Sequence, residues 1–156
     1  MSNVTALLER PKRARVIRTV LDNNPGMEPG MAERIVDEAV KFTATCAAFP
    51  DARLRPSRVV DEGWHALILH TRVYSELCEG LGHFVHHMPE PPNPSRHDAG
   101  ELTRTQEMIA QAGFTVDDAL WLAPTDRSIL VAAGCEHSEP GGEGTCTGDC
   151  SNTGPN

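Results

Sequence analysis

The sequence predicts an all-α protein, a compact bundle of about four to five helices with a disordered Gly/Cys-rich C-terminal tail. Apolar residues recur at the spacing of amphipathic helices, and no segment shows the sustained alternation of a half-buried strand. Proline and glycine clusters separate the helical segments. With 156 residues, 39% of them hydrophobic, the chain can fill one core. We therefore expect one helical domain over residues 1–133 and a flexible Gly/Cys-rich, acidic tail over residues 134–156.

The first two predicted helices are amphipathic. In residues 7–21, apolar side chains alternate with arginines, and an Asn-Asn-Pro-Gly stretch at 23–26 ends the helix. We expect Val16, Ile17, Val20 and Leu21 to pack into the core while the arginines stay solvated. In residues 31–49 the apolar positions again trace one face of a helix.

The most apolar segment predicts a long third helix. A Pro-Ser pair at 56–57 supplies a breaker and an N-cap, and the apolar pattern continues to Cys78. Gly80 and Gly82 weaken the end of this helix, and prolines make residues 88–95 an extended connector.

Two shorter helices complete the predicted bundle. Residues 101–112 carry a core-facing apolar pattern that Gly113 ends. Residues 115–118 supply an N-cap and an acidic first turn for a last short helix, which Pro124 stops.

Charge and apolar patterning disfavour two classes of partner. With 22 acidic and 14 basic side chains the net charge is −8, whereas nucleic-acid binding needs clustered Lys and Arg. No run approaches the roughly 20 apolar residues of a membrane span, and the N-terminus lacks the apolar core of a secretory signal. We expect a cytoplasmic protein that binds neither nucleic acid nor membrane. The basic residues 10–18 leave room for an acidic protein partner, and the oligomeric state stays open.

Histidines are concentrated in one segment. Five of the seven lie between positions 65 and 87, beside carboxylates and a thiol. Neutral imidazole is the commonest protein ligand for transition metals, and a nearby carboxylate either ligates the metal or orients the imidazole. The segment therefore predicts a site for Zn or Fe. Its candidate ligands are Asp61, His65, Cys78, His86 and His87.

Helix geometry limits which of these residues can share an ion. Asp61 and His65 are four positions apart, which places them on one helix face about 6 Å from each other. Cys78 lies thirteen positions beyond His65, roughly 20 Å away on an unbroken helix, and cannot join them. Glu62 and His65 also match the Glu-x-x-His element of di-iron bundles, but that fold needs a second copy, which the chain lacks.

The position of the remaining histidines depends on how the third helix ends. If the chain reverses at residues 80–82, His86 or His87 comes back near Cys78 and Tyr74. If the helix continues past the glycines instead, a second candidate stripe forms, consisting of Glu79, His83 and His87.

The tail carries a separate set of candidate ligands, Cys135, His137, Cys146 and Cys150. Three thiols and one imidazole are the ligand set of a Cys3His zinc site, although the spacing is irregular. A tail with incidental cysteines, a redox pair, or a peptide that another enzyme modifies fits the same residues. Five cysteines without an export signal argue against a disulfide framework.

The histidine segment resembles the signature of the glycine-rich domain-containing protein-like family, a helical group of bacteria and, in larger forms, of plants. Its pattern is an Asp before a Trp-His pair, a Tyr and a Cys further along the helix, then a Gly and a His before Pro. The resemblance implies no activity, and it ranks Asp61, His65 and His87 above His70, His83 and His97. The matching positions are Asp61, Trp64, His65, Tyr74, Cys78, Gly82, His87 and Pro89.

These observations favour a small cytosolic helical protein that binds a transition metal. One alternative is a metal-dependent enzyme of unassigned class, with Asp61 or Glu62 as general base and Tyr74 as a polar contact. The chain shows no nucleophile elbow, phosphate-binding loop or dinucleotide motif. The other alternative is a non-catalytic interaction module whose Cys-rich tail is a docking or modification peptide.

Overall fold

Helices make up nearly all of the regular structure. The computed structural model describes residues 3–88 and 99–132, and in these residues it contains α-helices and short 3-10 turns but no strand, which confirms the all-α prediction. The predicted tail, residues 89–95 of the predicted connector, and the candidate ligands Cys135, His137, Cys146 and Cys150 lie outside the described residues. The helices are α1 (Val4–Leu7), α2 (Arg10–Asn23), α3 (Pro29–Ala48), α4 (Arg58–Leu69), α5 (Thr71–Leu81) and α6 (Ala99–Gln111), with 3-10 turns at Pro50–Ala52 and Asp118–Leu120.

Helix α3 is the centre of the fold, because each of the other five helices packs against it. It begins at Pro29, two residues before the predicted start, since proline at the first helical position loses no intrahelical hydrogen bond. Its buried face follows helical spacing and is fully shielded from solvent. The fully buried apolar residues of α3 are Ala32, Ile35, Val36, Ala39, Val40 and Phe42.

A glycine sets the distance between α3 and α4. A Cβ added at Gly63 would lie 2.7 Å from the carbonyl oxygen of Ile35 and 3.0 Å from the Cβ of Ala39. Any larger residue at this position would therefore push the two backbones apart. The close approach fixes α4, the helix that carries Asp61 and His65, against the fully buried face of α3.

The predicted third helix is bent at His70 into α4 and α5, so the prediction of one continuous helix is wrong. His70 leaves helical geometry with ψ 68°, and its Nε2 lies 2.8 Å from the Thr19 hydroxyl of α2. The bend also lets the Trp64 indole N–H donate to the Tyr74 hydroxyl at 3.1 Å. Ten residues of straight helix would separate these two residues by about 15 Å. Tertiary contacts therefore override the continuous apolar pattern.

Helix α5 ends where the chain reverses direction. Gly82 adopts a left-handed conformation with φ 76°, and its N–H donates to the carbonyl of Glu79 at 3.0 Å. The next residue, His83, donates to the carbonyl of Cys78 at 3.3 Å. Residues 83–88 then return without regular secondary structure to α4, where His87 lies beside His65. The structure thus has the reversal at 80–82, and the helical stripe that would continue to His83 and His87 does not form.

A buried glutamate anchors the segment that follows α6 to the central helix. The Glu38 side chain is fully buried and accepts hydrogen bonds from the Lys41 ammonium at 2.9 Å and the Trp121 indole N–H at 2.9 Å. It also accepts from the backbone N–H of Asp117 at 3.3 Å. The Asp117 carboxylate is held in turn by both donors of Arg34, at 2.7 and 2.8 Å.

Several basic side chains of α2 are paired within the protein. Val16 and Val20 are fully buried, as predicted, whereas Ile17 and Leu21 are only partly buried against the same core. Lys12 lies 2.6 Å from Glu76 of α5, and Arg13 forms a two-point contact with Asp37 of α3. These pairs tie α2 to its neighbours and withdraw two cations from the surface offered to an acidic partner.

None of the described helices combines the length and the apolarity that a membrane crossing requires.

Candidate metal centre

Two elements bring one carboxylate and two imidazoles together. Helix α4 supplies Asp61 and His65, one turn apart on the same face, and the returning segment supplies His87. Nε2 of His87 lies 2.9 Å from Nε2 of His65 and 3.3 Å from Oδ1 of Asp61. Nδ1 of His65 lies 3.4 Å from Oδ2 of Asp61. Within residues 3–88 and 99–132, no other group of three or more His, Cys, Asp or Glu side chains lies close enough to share an ion.

Two of the three distances between these ligand atoms are close to the edges of a coordination shell. Each residue offers a ligand atom within 4.8 Å of the other two. An ion about 2.1 Å from two ligands at angles between 90° and 109° separates those ligands by roughly 3.0–3.4 Å. The separations of 2.9 and 3.3 Å at the His87 nitrogen are close to that range. The three residues therefore form a group that could hold a metal ion.

The buried charge of the Asp61 carboxylate needs compensation by neighbouring groups. Its side chain is 1% exposed, and its partners in the described chain are the imidazoles of His65 and His87. A buried charge is costly unless an opposite charge or hydrogen bonds compensate it. The His65 side chain is 33% exposed, so the cluster is open to solvent on the side of His65. A cation reaching the cluster from that side would neutralise the carboxylate.

An aromatic pair holds the returning segment in place. The Tyr74 hydroxyl donates to the carbonyl of Val85 and accepts from the Trp64 indole N–H. Burial raises the pKa of Tyr74 above its ordinary value of 10, so the hydroxyl keeps its proton and remains a donor. The Trp64 ring packs against the imidazole of His87 with centroids 4.6 Å apart, and against Phe42 of the core at 5.0 Å. These contacts fix the position of His87 relative to α4.

Glu62 and Tyr74, considered above as base and polar contact, are occupied elsewhere. The Glu62 carboxylate accepts a hydrogen bond from the Asn24 side chain at 2.8 Å, and the same Asn24 side chain accepts from the backbone N–H of Ala132 at 2.7 Å. Glu62 lies outside the cluster with Asp61, so the single Glu-x-x-His element does not act as a ligand pair. Both residues stabilise the fold around the cluster.

The other predicted ligands lie apart from the cluster. His86 is exposed, and its ring packs against Phe84 with centroids 4.7 Å apart. Cys78 is 1% exposed within the core. Cys46 is partly buried, and burial raises the pKa of its thiol to about 12, in keeping with a small hydrophobic residue. The structure therefore brings together three of the five candidates from this segment, Asp61, His65 and His87.

The positioning roles of Trp64 and Tyr74 were not predicted from spacing, because they depend on the bend at His70. The available signal was the pattern that carries the family resemblance. Most of its positions build the cluster in the structure, either as ligands, as the aromatic pair, or as the glycine of the reversal. These positions are Asp61, Trp64, His65, Tyr74, Gly82 and His87.

Comparison with known proteins identifies one family. A family model described as UCP032817-like matches residues 10–113, which include the whole cluster. No curated protein and no solved structure matches the chain significantly.

Proposed function

The chain belongs to the UCP032817-like family, whose description names no activity, and we propose that it binds a divalent transition metal through Asp61, His65 and His87. The observation that carries the proposal is the convergence of two imidazoles and a buried carboxylate from separate elements. Zn and Fe are the metals that this ligand set favours. The resemblance to the glycine-rich domain-containing protein-like family and the cytoplasmic location stay predictions.

The ligand number favours a site with room for a further ligand. Structural zinc sites are closed by four protein ligands, whereas catalytic zinc sites keep three and leave a position for water or substrate. Two histidines and one carboxylate are also the ligand set of non-haem Fe(II) sites with open positions. Within residues 3–88 and 99–132, no fourth residue joins the cluster.

We also propose, as a second function, a metal-dependent enzyme of unassigned class. The observation that favours it is the three-ligand set together with the partial exposure of His65. A bound metal would supply Lewis-acid chemistry and lower the pKa of a water molecule. Glu62 does not serve as its base and Tyr74 is not its polar contact, because each is committed to a buried hydrogen bond.

Metal analysis of matched histidine variants tests the proposal. Chain purified without an affinity tag and loaded with Zn or Fe(II) should retain one ion per chain after dialysis. His87→Gln should retain less than about one tenth of that amount, since loss of one of three ligands weakens binding steeply. His86→Gln changes the neighbouring, exposed histidine and should retain the full amount. Equal retention by both variants, or none by the unaltered chain, would refute the proposal.

A further inference from the structure

The metal cluster has room for one more ligand from the protein. Asp61, His65 and His87 supply three ligand atoms, and no fourth His, Cys, Asp or Glu of residues 3–88 and 99–132 joins them. The His65 side chain is 33% exposed, so a further ligand can approach from the solvent side. Structural zinc sites are closed by a fourth protein ligand, and thiolate sulfur is a preferred ligand of Zn.

Charge favours an anionic fourth ligand. A divalent ion bound by the Asp61 carboxylate and two neutral imidazoles keeps one positive charge uncompensated. The Asp61 side chain is buried, and the imidazole of His87 packs against the Trp64 ring, so part of the site is shielded from water. An uncompensated charge in such a place is costly. A thiolate would neutralise it, and its thiol would release a proton to solvent on binding the metal.

The chain leaves the described structure beside α4. Arg58, in the first turn of α4, donates to the carbonyls of Asp126 and Ile129 at 3.1 and 2.7 Å, and so anchors the segment that precedes the tail. Ala132, the last described residue, donates through its N–H to the Asn24 side chain at 2.7 Å. The tail therefore continues from a point that is fixed relative to α4.

Covalent geometry allows the tail thiols to reach the cluster. The side-chain amide that holds Ala132 also donates to Glu62, the residue next to Asp61, at 2.8 Å. Along these contacts the Ala132 nitrogen lies no more than roughly 20 Å from the Asp61 carboxylate. Cys146 and Cys150 follow Ala132 by fourteen and eighteen positions, and fourteen extended residues span about 46 Å. Both thiols can therefore reach the cluster even by a path around α4.

We propose that one thiolate of the pair Cys146 and Cys150 completes the coordination of the metal in the cluster. The longer reach favours this pair over Cys135, which follows Ala132 by three positions and so spans at most about 11 Å. This inference rests on the proposed metal binding and names the ligand that regulates access to the same site. Because the thiolate takes the position that a water molecule or a substrate would need, the tail has to leave before either can bind.

The absorption spectrum of the Co²⁺-loaded full chain, under reducing conditions, tests the inference. Thiolate ligands give Co²⁺ an intense near-ultraviolet charge-transfer band that nitrogen and oxygen ligands do not give, whereas the visible bands report binding by any ligand. The unaltered chain should show both. The double variant Cys146→Ser with Cys150→Ser should still bind Co²⁺ but lose the charge-transfer band. Cys46→Ala, the matched control, removes a partly buried thiol of the core and should keep both.

His87→Gln distinguishes this arrangement from a metal site within the tail alone. It removes a ligand of the cluster and should lose the charge-transfer band together with the bound Co²⁺. A charge-transfer band that persists in this variant, or in the double cysteine variant, would overturn the inference. Co²⁺ binding by the unaltered chain without that band would overturn it too, and would leave the proposed metal site intact. Failure to bind any Co²⁺ would refute the metal site, and the thiolate ligand with it.

Discussion

Two buried carboxylates of this protein have different kinds of partner. Glu38, in the centre of α3, accepts hydrogen bonds from an ammonium, an indole N–H and a backbone N–H. Asp61, on α4, is buried to the same degree but faces two imidazoles. The donors around Glu38 carry protons that they cannot give up at neutral pH, whereas a neutral imidazole offers a lone pair as readily as a proton. The hydrogen bonds of Glu38 therefore stabilise the fold, whereas the imidazole partners of Asp61 have lone pairs with which to bind a cation.

Burial alone therefore does not identify a functional carboxylate in this protein. Glu62, next to Asp61 on α4, is also buried, yet it accepts a hydrogen bond from the side-chain NH2 group of Asn24, and such a group can only donate. The adjacent carboxylates thus belong to different regions of the molecule because α4 turns them in different directions. The chemical nature of the partner decides between an anchor and a ligand.

The largest expected effect is the loss of the Glu38 anchor. Glu38→Ala leaves the Trp121 indole without its acceptor and removes the buried carboxylate partner of Lys41, whose ammonium also donates to the Thr115 carbonyl. It should lower the free energy of unfolding by about 3–5 kcal/mol. Asp61→Asn in metal-free protein removes a buried charge without stranding an obligatory donor, and should change that free energy by less than about 1 kcal/mol. Urea unfolding in the presence of a chelator measures both.

Two further results complete this test. Glu38→Gln keeps an acceptor for the Trp121 indole and should fall between Glu38→Ala and the unaltered chain. If Asp61→Asn proves as costly as Glu38→Ala, Asp61 is an anchor too and the distinction between the two carboxylates fails.

The sequence allowed more of the fold to be predicted than of the site. The amphipathic pattern of α2 and α3 placed both helices within a few residues, because a buried face imposes its spacing directly on the chain. The i, i+4 relation of Asp61 and His65 was readable for the same reason. The approach of His87 was not, because it depends on the bend at His70 and on contacts between residues distant in sequence. Local patterns cannot fix such contacts.

A smaller effect is expected for Tyr74, whose hydroxyl holds the segment that carries His87. Tyr74→Phe removes the hydroxyl that joins Val85 to Trp64, and should weaken metal binding about tenfold because His87 is less well positioned. It should also cost about 1–2 kcal/mol of unfolding free energy. Metal titration and urea unfolding on the same samples measure the two quantities.

A core variant separates positioning from general destabilisation. Ile35→Val, at a fully buried position of α3, should lower stability by about 0.5–1.5 kcal/mol and leave metal affinity unchanged. If both variants weaken metal binding equally, Tyr74 has no specific role in placing His87.

The smallest expected effect concerns the surface end of the Glu38 anchor, where Asp117 bonds to Arg34. The Arg34 guanidinium lowers the pKa of Asp117 below its ordinary 3.8, chiefly through their hydrogen bonds. The pair therefore adds stability above about pH 4, and that stability is lost as the pH falls through the lowered pKa. Because Arg34 is 45% exposed, Arg34→Gln should cost less than about 1 kcal/mol at pH 7, and less again in high salt. Unfolding curves of variant and unaltered chain should converge once the pH is below the lowered pKa of Asp117, since the carboxyl is then protonated in both. A difference that persists there would show that Arg34 stabilises the segment without its carboxylate partner, and would confine the anchor to Glu38.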